Sequence, residues 1–471
     1  MAVGLHWKAL EMPDDVPTAT ELLTQLANGE TSAEAVVSDL IRRIEADPEL
    51  RAFSVIDERT FGKAQKADAA RKAGQTVGPL HGLPIAVKDN IAVAGLPNTG
   101  GTPALANHIP AVDADIVTRL KRAGAIIIGK NTMHELAWGT TSINPFSGTP
   151  LNPHDRTRTS GGSSGGAGAA VAANLVPVAI GTDTGGSIRI PASMCGVWGF
   201  RPTIGKWPQH GIVPISSSRD TAGPLARSAE DLILLHEAVT GERTPPGFSP
   251  AGKRIGIPRH HFWEFAQPEV AALCLAALEK LRDAGMEFVD TDVADIARLH
   301  NESSFPVSSY EGRVDLMKYL ADFAPNITFR DVVEQIAGDD VRELMLPLLD
   351  AGGPSATQPY RAAVAVRQQL IDAYDQLFTG NRLDAIAFPT CLMPAFTLSD
   401  AFVELPNAGS VPVFPAMIHN TGPGSNAGLP GVSVPIGKTA SGLPVGLALD
   451  GPRGGDVELL QLARFAGSIT S

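Results

Sequence analysis

The sequence is short of several features that mark particular classes of protein. Its 471 residues contain only 3 cysteines, which are widely spaced and form no Cys-x-x-Cys pair. Such a set favours neither a disulfide framework nor a zinc knuckle, and it fits a reducing compartment. We therefore expect a cytoplasmic protein without structural disulfides.

An excess of positive charge is also missing. Lysine and arginine number 38 against 50 aspartates and glutamates, which leaves a formal net charge of −12. Nucleic acids and anionic membrane surfaces attract proteins through a basic face. The charge balance therefore argues against both as partners.

Long uninterrupted apolar runs are absent as well. The most apolar long stretch, residues 165–181, is broken by glycines, Asn174 and Pro177, which argues against a membrane-spanning helix. The first residues reach Glu11, Asp14 and Asp15 before any long apolar run, so they lack the hydrophobic region of a secretory signal.

Hydrophobic residues nevertheless make up 44% of the chain, enough for an extensive core. Capping-box patterns at Thr18-x-x-Glu21 and Thr31-x-x-Glu34 predict two helices in an N-terminal segment over residues 1–75. The chain therefore opens with helices.

Residues 78–240 differ from the N-terminal segment in their pattern of apolar residues. Short β-like runs, such as 84–88 and 125–128, alternate there with helical patterns. The alternation resumes later, with a strand predicted over 254–257 and a helix over 268–284. It is typical of an α/β sheet flanked by helices. We expect one α/β domain over residues 1–471.

Residues 299–355 are predicted to be helical and rich in loops. They hold Phe305, Tyr310 and Tyr319, in a chain with only 6% aromatic residues. The segment could cover a substrate pocket, or its aromatics could simply pack in the core. The pattern leaves both interpretations open.

The densest chemical signal lies between Ser160 and Ser187. It contains two glycine-flanked turns, around Ser163 and around Ser187, with a short apolar segment between them. Glycine at this density is costly for packing alone, and it lets a substrate approach bare backbone N–H groups. The two turns therefore suggest a reaction centre.

Other motifs are weak or missing. Overlapping G-x-S-x-G matches at 161–165 and 162–166 suggest a nucleophile elbow, but glycine-rich sequence produces them readily and no downstream histidine is singled out. The phosphate-binding patterns G-x-x-x-x-G-K-[ST] and G-x-G-x-x-G are absent. His134-Glu135 lacks the second histidine of a zincin, so no metal site is indicated.

A lysine could serve as the base instead. Lys88 closes an apolar run, and burial of a lysine favours its neutral, proton-accepting form. Lys130, which follows the run at 126–128, qualifies equally well. Either lysine could also be a solvated strand end, and composition does not choose between them.

Several motifs in one order resemble the signature blocks of the amidase signature family of serine hydrolases. They are residues 82–90 (Gly-Leu-Pro-Ile-Ala-Val-Lys-Asp-Asn), 161–166 (Gly-Gly-Ser-Ser-Gly-Gly), 181–191 (Gly-Thr-Asp-Thr-Gly-Gly-Ser-Ile-Arg-Ile-Pro), 199–203, 220–224, 388–390 and 444–446. The resemblance covers nearly the whole chain. It implies a single large domain in which helices flank both faces of a mixed, twisted central β-sheet.

The resemblance also implies a Ser-cisSer-Lys triad, with Ser187 the nucleophile, Ser163 the bridging serine and Lys88 the base. In the family the bridging serine follows a cis peptide bond, here Gly162–Ser163. The implied oxyanion hole and loop supports are the amides of Thr184, Gly185, Gly186 and Ser187 and the side chains of Asp183 and Arg189. No metal or cofactor is implied.

The resemblance is closest to the branch with indoleacetamide and mandelamide hydrolases, through segments 133–139, 218–221 and 424–430. It implies small aryl amides as substrates, with carbamates (urethanes) or anilides as the alternative. Our candidates for an apolar pocket are Met133, Trp138, Ile143, Phe146, Phe305 and Tyr310.

Two further readings stay open. One is the glutamine-amidase subunit of a tRNA-dependent amidotransferase, which works with partner subunits, and the other is a non-catalytic binding protein. For the enzyme we expect a monomer or homodimer whose partner is a small amide or carbamate.

Overall fold

The structure is a computed structural model that describes residues 16–75, 77–350 and 354–470. The first fifteen residues of the predicted N-terminal helical segment and residues 351–353 of the predicted covering region lie outside these ranges.

The strands are, in chain order, β1 (Phe53–Ile56), β2 (Pro84–Lys88), β3 (Ile126–Asn131), β4 (Leu151–Asn152), β5 (Asp155–Thr159), β6 (Val178–Asp183), β7 (Trp198–Arg201), β8 (Thr221–Ala226), β9 (Arg254–Pro258), β10 (Glu287–Thr291), β11 (Ala385–Pro389), β12 (Phe402–Leu405), β13 (Gly409–Pro412), β14 (Gly431–Lys438) and β15 (Pro444–Asp450).

The α-helices are α1 (Ala19–Asn28), α2 (Ala33–Ala46), α3 (Thr60–Lys72), α4 (Asp115–Arg122), α5 (Gly165–Ala172), α6 (Arg189–Cys195), α7 (Ala229–Thr240), α8 (Pro268–Asp283), α9 (Ile296–Phe323), α10 (Phe329–Glu334), α11 (Asp339–Met345), α12 (Pro354–Asn381), α13 (Val413–Ile418), α14 (Thr421–Ala427) and α15 (Asp456–Thr470). Short 3₁₀ turns lie at Pro48–Leu50, Pro103–Leu105, Glu135–Ala137 and Leu346–Leu349.

The N-terminal helices test the two capping predictions. The Thr18 box is confirmed, because its side chain accepts from the Glu21 amide and the Glu21 carboxylate accepts from the Thr18 amide. The Thr31 box is wrong, since Ser32 is the N-cap of α2 and accepts from the Ala35 amide. The Asp68 carboxylate accepts hydrogen bonds from the amides of Ala33 and Glu34, the first two residues of α2. A tertiary contact therefore replaces the predicted local one.

One eleven-stranded sheet organises the molecule, in the order β1-β3-β2-β6-β8-β7-β14-β15-β11-β9-β10. The neighbours β3, β2 and β6 run parallel, as do β11, β9 and β10, while the central pairs are antiparallel. The predicted α/β class and mixed sheet are therefore confirmed.

Helices cover both faces of this sheet, as β15 illustrates. Successive residues of a strand point to opposite faces. Leu447 and Leu449 join the largest core cluster together with Cys274 of α8. A methyl group built at Gly446, which precedes Leu447 and faces the other way, would lie 2.8 Å from the hydroxyl of Ser193, on α6. The two faces therefore pack on α8 and on α6.

The same architecture brings the two serine turns together. One turn precedes α5 and the other follows β6 and precedes α6. The two helices approach closely because Gly168 of α5 has no side chain; a methyl group there would lie 3.1 Å from the Pro191 Cβ of α6. The turns at the start of both helices are thus held against each other.

Helices α9 to α12 form a group beside the sheet, with α9 packed along α12 and α14. They include most of the predicted covering region. Within the described ranges, no helix has both the length and the apolar character needed to cross a membrane.

Candidate active site

Lys88 ends β2 and is fully buried. Because β2 and β6 are parallel neighbours, with Val87 opposite Ile180, the end of β2 meets the end of β6. The Lys88 Nζ donates to Ser163 Oγ at 2.7 Å and to Thr182 Oγ1 at 2.8 Å. In the described part of the chain, no carboxylate lies within ion-pair distance of Lys88.

This environment changes the acidity of the amine. Burial lowers the pKa of Lys88 to about 7, although the negative charges of Asp183 and Asp220 act in the opposite direction. Desolvation disfavours the ammonium form. Lys88 can therefore be neutral near physiological pH and accept a proton.

The competing lysine has a different environment. Lys130 is also fully buried, but its Nζ lies 3.2 Å from Asp89 Oδ1, 3.2 Å from the Pro97 carbonyl oxygen and 2.8 Å from Asn98 Oδ1. Burial lowers the pKa of Lys130, while the charge of Asp89 opposes that shift. Lys130 has its own ion pair and contacts neither serine turn.

The variant Lys130→Met is expected to destabilise the fold by roughly 3–5 kcal/mol, because it leaves the buried Asp89 carboxylate without its cation. Urea unfolding would measure the loss. Lys88→Met is the matched control, since it removes an equally buried amine that has no ion-pair partner among the described residues, and a smaller loss is expected. If Lys130→Met unfolded like the wild-type protein, the structural role of Lys130 would be wrong.

The first serine turn is held by several backbone contacts. The peptide bond Gly162–Ser163 is cis, as the resemblance implies. The Ser163 carbonyl accepts from the His134 amide at 3.1 Å and from the Ser142 hydroxyl at 3.3 Å. These contacts leave the Ser163 hydroxyl facing Lys88.

The second turn places Ser187 beside the first. The Ser164 amide donates to the Ser187 carbonyl at 3.2 Å. Ser187 retains 8% exposure, whereas Ser163 has none. Among the described residues, no hydrogen bond joins the hydroxyls of Ser163 and Ser187. Active-site hydrogen bonds often form only when substrate is bound.

The backbone amides of this turn differ from one another. The Gly186 amide donates to Asp183 Oδ1 at 2.8 Å. The amides of Thr184, Gly185 and Ser187 make no hydrogen bond to the described residues. Gly186 has a φ of +134°, and a methyl group there would lie 2.1 Å from the Thr421 hydroxyl, so this position requires glycine.

Asp183 and Arg189 belong to a buried charge network. Arg189 Nε lies 3.2 Å from Asp183 Oδ2, and Arg189 Nη1 lies 3.2 Å from Asp450 Oδ1. Arg201 Nη1 lies 3.1 Å from Asp183 Oδ1. The Ser425 hydroxyl donates to Asp183 at 3.1 Å. Burial alone would raise the pKa of Asp183, but the two guanidiniums outweigh it and hold that pKa well below its usual range.

Sequence reasoning gave no role to two residues that contact Thr184. The Thr184 hydroxyl donates to Asp220 Oδ1 at 2.5 Å, and Arg219 donates to the Thr184 carbonyl at 3.1 Å. Burial raises the pKa of Asp220 to about 6, while hydrogen bonds from Thr184, Ser216 and Ile215 oppose the rise. The sequence did contain a signal for both residues, because they lie in segment 218–221, through which the chain resembles the indoleacetamide and mandelamide hydrolase branch. Thr182, the second partner of Lys88, also lies within a motif.

A cavity of about 210 Å³ adjoins this turn. Thr182, Thr184 and Asp220 line one side, residues 211–215 line another, and Tyr319 and Phe323 of α9 line a third. Helix α9, in the predicted covering region, therefore forms part of the wall.

None of the six predicted pocket residues lines this cavity. Met133 and Trp138 lie in a core cluster, although Trp138 follows the cavity residue Ala137. Ile143 is partly buried and Phe146 is exposed. Phe305 is 51% exposed, and Tyr310 stacks on Tyr360 with ring centroids 4.2 Å apart.

The described ranges contain no cluster of three or more histidine, cysteine, aspartate or glutamate residues placed to hold a metal ion.

Known proteins resemble this chain over nearly its full length. A family model described as Amidase matches residues 35–460. Indoleacetamide hydrolase of Allorhizobium ampelinum is 37% identical over 450 residues, 96% of this chain and 97% of that protein. Mandelamide hydrolase of Pseudomonas putida is 38% identical over 470 residues, 96% of this chain and 91% of that protein.

A solved structure agrees with the fold. The X-ray structure of native peptide amidase from Stenotrophomonas maltophilia has a TM-score of 0.84 and 29% identity, covering 96% of each chain. The fold and these relatives define the protein as an amidohydrolase, an enzyme that hydrolyses amides. The chain belongs to the amidase signature family, so the predicted resemblance is confirmed.

Proposed function

We propose that this enzyme hydrolyses small aryl amides through an acyl-enzyme on Ser187, with Ser163 as proton relay and Lys88 as base. One observation carries the proposal: the buried Lys88 Nζ lies 2.7 Å from Ser163 Oγ and has no ion-pair partner among the described residues. A neutral amine in this place can accept a proton from the Ser163 hydroxyl that it contacts.

The first half-reaction moves one proton away from the nucleophile. Neutral Lys88 takes the Ser163 proton, Ser163 takes that of Ser187, and the Ser187 oxygen bonds to the carbonyl carbon. The carbonyl π electrons move onto oxygen and form a tetrahedral oxyanion. Lys88 is then an ammonium ion that holds the transferred proton.

Collapse of this intermediate breaks the C–N bond. The leaving nitrogen needs a proton, because an amide anion is a poor leaving group, and Ser163 delivers its proton while Lys88 protonates Ser163 again. Water then attacks the Ser187 ester by the same relay. The products are a carboxylic acid and ammonia or an amine.

The free amides of Thr184, Gly185 and Ser187 are our proposed oxyanion donors. They make no other hydrogen bond to the described residues, and preorganised donors of this kind stabilise the developing charge. The Gly186 amide, already bound to Asp183, supports the turn in this state. Asp183 and Arg189 act as loop supports through their buried ion pair.

The proposed substrate class is supported by the relatives and by the cavity. Those relatives are named for indoleacetamide and mandelamide, and the cavity combines Tyr319 and Phe323 with apolar residues at 212–215. Its volume of about 210 Å³ is below the range for drug-sized ligands, so it favours a small acyl group. Trp138, behind Ala137, remains a predicted contributor.

A substrate panel tests this specificity. We expect kcat/KM for phenylacetamide, indoleacetamide and mandelamide to exceed that for glutamine by at least about a hundredfold. An aryl group gains from contact with residues 212–215, Tyr319 and Phe323, whereas the two charged groups of glutamine would lose hydration against them, although Asp315 and Lys318 also line the cavity. Carbamates and anilides with the same aryl group serve as comparisons. Preference for a carbamate would favour the urethanase alternative, and preference for glutamine would overturn the aryl-amide proposal.

A further inference from the structure

The peptide units around the proposed oxyanion site share an arrangement of their carbonyl groups. Each carbonyl from Asp183 to Gly186 accepts a hydrogen bond from outside the turn. The donors are the Arg201 guanidinium for Asp183, the Arg219 guanidinium for Thr184 at 3.1 Å, the Thr421 hydroxyl for Gly185 at 2.7 Å and the Ile190 amide for Gly186 at 2.7 Å.

A trans peptide unit is planar, and its C=O and N–H groups point in opposite directions. A donor that holds the carbonyl of one residue therefore also sets the direction of the next residue's N–H. By this rule, Arg219 on the Thr184 carbonyl sets the Gly185 N–H, which is free of other partners in the described structure.

We propose that Arg219 is a positioning residue that aims the Gly185 amide at the oxyanion by holding the Thr184 carbonyl. The inference rests on the proposed function, in which that amide stabilises the tetrahedral intermediate. Arg219 is suited to this role because it is rigidly enclosed, with 2% exposure. Its neighbour Asp220 holds the hydroxyl of the same threonine.

The second terminal nitrogen of the Arg219 guanidinium binds helix α9. This Nη1 donates to the Ser304 carbonyl and hydroxyl, both at 3.0 Å, and to the Ser308 hydroxyl at 3.3 Å. Helix α9 also lines the cavity. One side chain thus links a wall of the cavity to the peptide unit that stabilises charge.

Arg219 is also the carbonyl donor whose role can be separated from the rest of the network. Arg201 additionally pairs with Asp183, and Thr421 also packs against Gly186, so substitutions there disturb several contacts. Arg219 forms no ion pair with Asp183. Its removal leaves the Asp183–Arg189 brace in place.

The test compares Arg219→Met with the wild-type enzyme, using phenylacetamide as substrate and two inhibitors. Phenylacetaldehyde adds to the nucleophilic serine as a hemiacetal whose oxygen lies at the oxyanion position, whereas phenylacetate is a ground-state ligand. Loss of one complete oxyanion donor costs about 10²–10³ in kcat. For a misdirected donor we expect a loss of roughly tenfold to a hundredfold in kcat, with KM changed less than about threefold.

The inhibitors separate positioning from general disruption. The Ki of phenylacetaldehyde should rise by the same factor as kcat/KM falls, and the Ki of phenylacetate should stay within about twofold. Arg219→Lys, which keeps a donor, should recover part of the activity. Ser308→Ala removes one helix-side partner of Arg219 and one hydrogen bond within α9, and it leaves the Arg219 contact with the Thr184 carbonyl intact. It is the matched control, and its kcat/KM should stay within about threefold of the wild-type value.

The possible outcomes are distinct. If folded Arg219→Met binds the aldehyde as tightly as the wild type, or loses affinity for both inhibitors equally, the positioning role is wrong. If Arg219→Met does not fold, Arg219→Lys must show the matched changes in aldehyde Ki and kcat/KM, or the inference fails. If Ser187→Ala binds the aldehyde as well as the wild type does, the proposed nucleophile itself is wrong.

Discussion

Replacement of Ser187 by alanine should reduce kcat by about 10⁶ and abolish covalent labelling by a fluorophosphonate probe at the same time. The acyl-enzyme cannot form without the hydroxyl that bonds to the carbonyl carbon, while the oxyanion amides and the fold remain. Single-turnover kinetics and intact-protein mass spectrometry after labelling would measure both effects.

A serine in the neighbouring turn provides the control for this prediction. Ser164 contacts the Ser187 carbonyl through its own amide, which Ser164→Ala retains, so that variant should still be labelled. Full hydrolytic activity in Ser187→Ala would remove the basis of the acyl-enzyme mechanism. Labelling of Ser187→Ala at another serine would assign the nucleophile elsewhere.

The pH dependence of kcat/KM should follow the protonation of Lys88. Burial lowers the pKa of this amine to about 7, and only the neutral form accepts a proton. Below that pKa the neutral fraction falls tenfold for each pH unit, so kcat/KM at pH 5 should be roughly a hundredfold below its alkaline plateau. The activity should therefore fall in acid, where Lys88 is protonated, and rise in alkali, where the neutral amine returns.

Lys88→Ala should remove this acid limb and lower kcat/KM by about 10³–10⁴, with partial recovery at high pH as hydroxide replaces the base. Lys130→Met provides the control for a buried lysine, since it should keep the wild-type profile in whatever fraction remains folded. A sharp activity maximum near pH 5 in the wild-type enzyme would contradict a neutral lysine base.

Much of the fold was predictable because local patterns agree with their final environment. The run at 84–88 and the helix over 268–284 appear as β2 and α8 with little change. The second N-cap was misplaced, because Asp68 of α3 takes the first amides of α2 and Ser32 takes the next. The four-residue capping pattern describes only local hydrogen bonds, so it does not predict a contact made by a residue of another helix.

The six predicted pocket residues do not line the cavity beside the second serine turn, for a related reason. The predicted residues are apolar or aromatic by type, but Met133 and Trp138 lie in a core cluster and Phe305 is exposed. The cavity is instead lined by residues 211–215 and by Tyr319 and Phe323, which come from distant segments. The cavity forms where several elements meet, so its lining does not follow from the composition of any single element.

The sequence by itself determined the family, the α/β class and the two serine turns, because these depend on long motifs and on local backbone preferences. Composition did not separate Lys88 from Lys130, and the family resemblance pointed to Lys88 without a physical reason. The tertiary structure supplies that reason, since parallel pairing of β2 with β6 carries Lys88 to a serine 75 residues away while Lys130 meets Asp89. Tertiary structure also decided how the amides after Asp183 point, because Arg201, Arg219 and Thr421 hold their peptide units from remote parts of the chain.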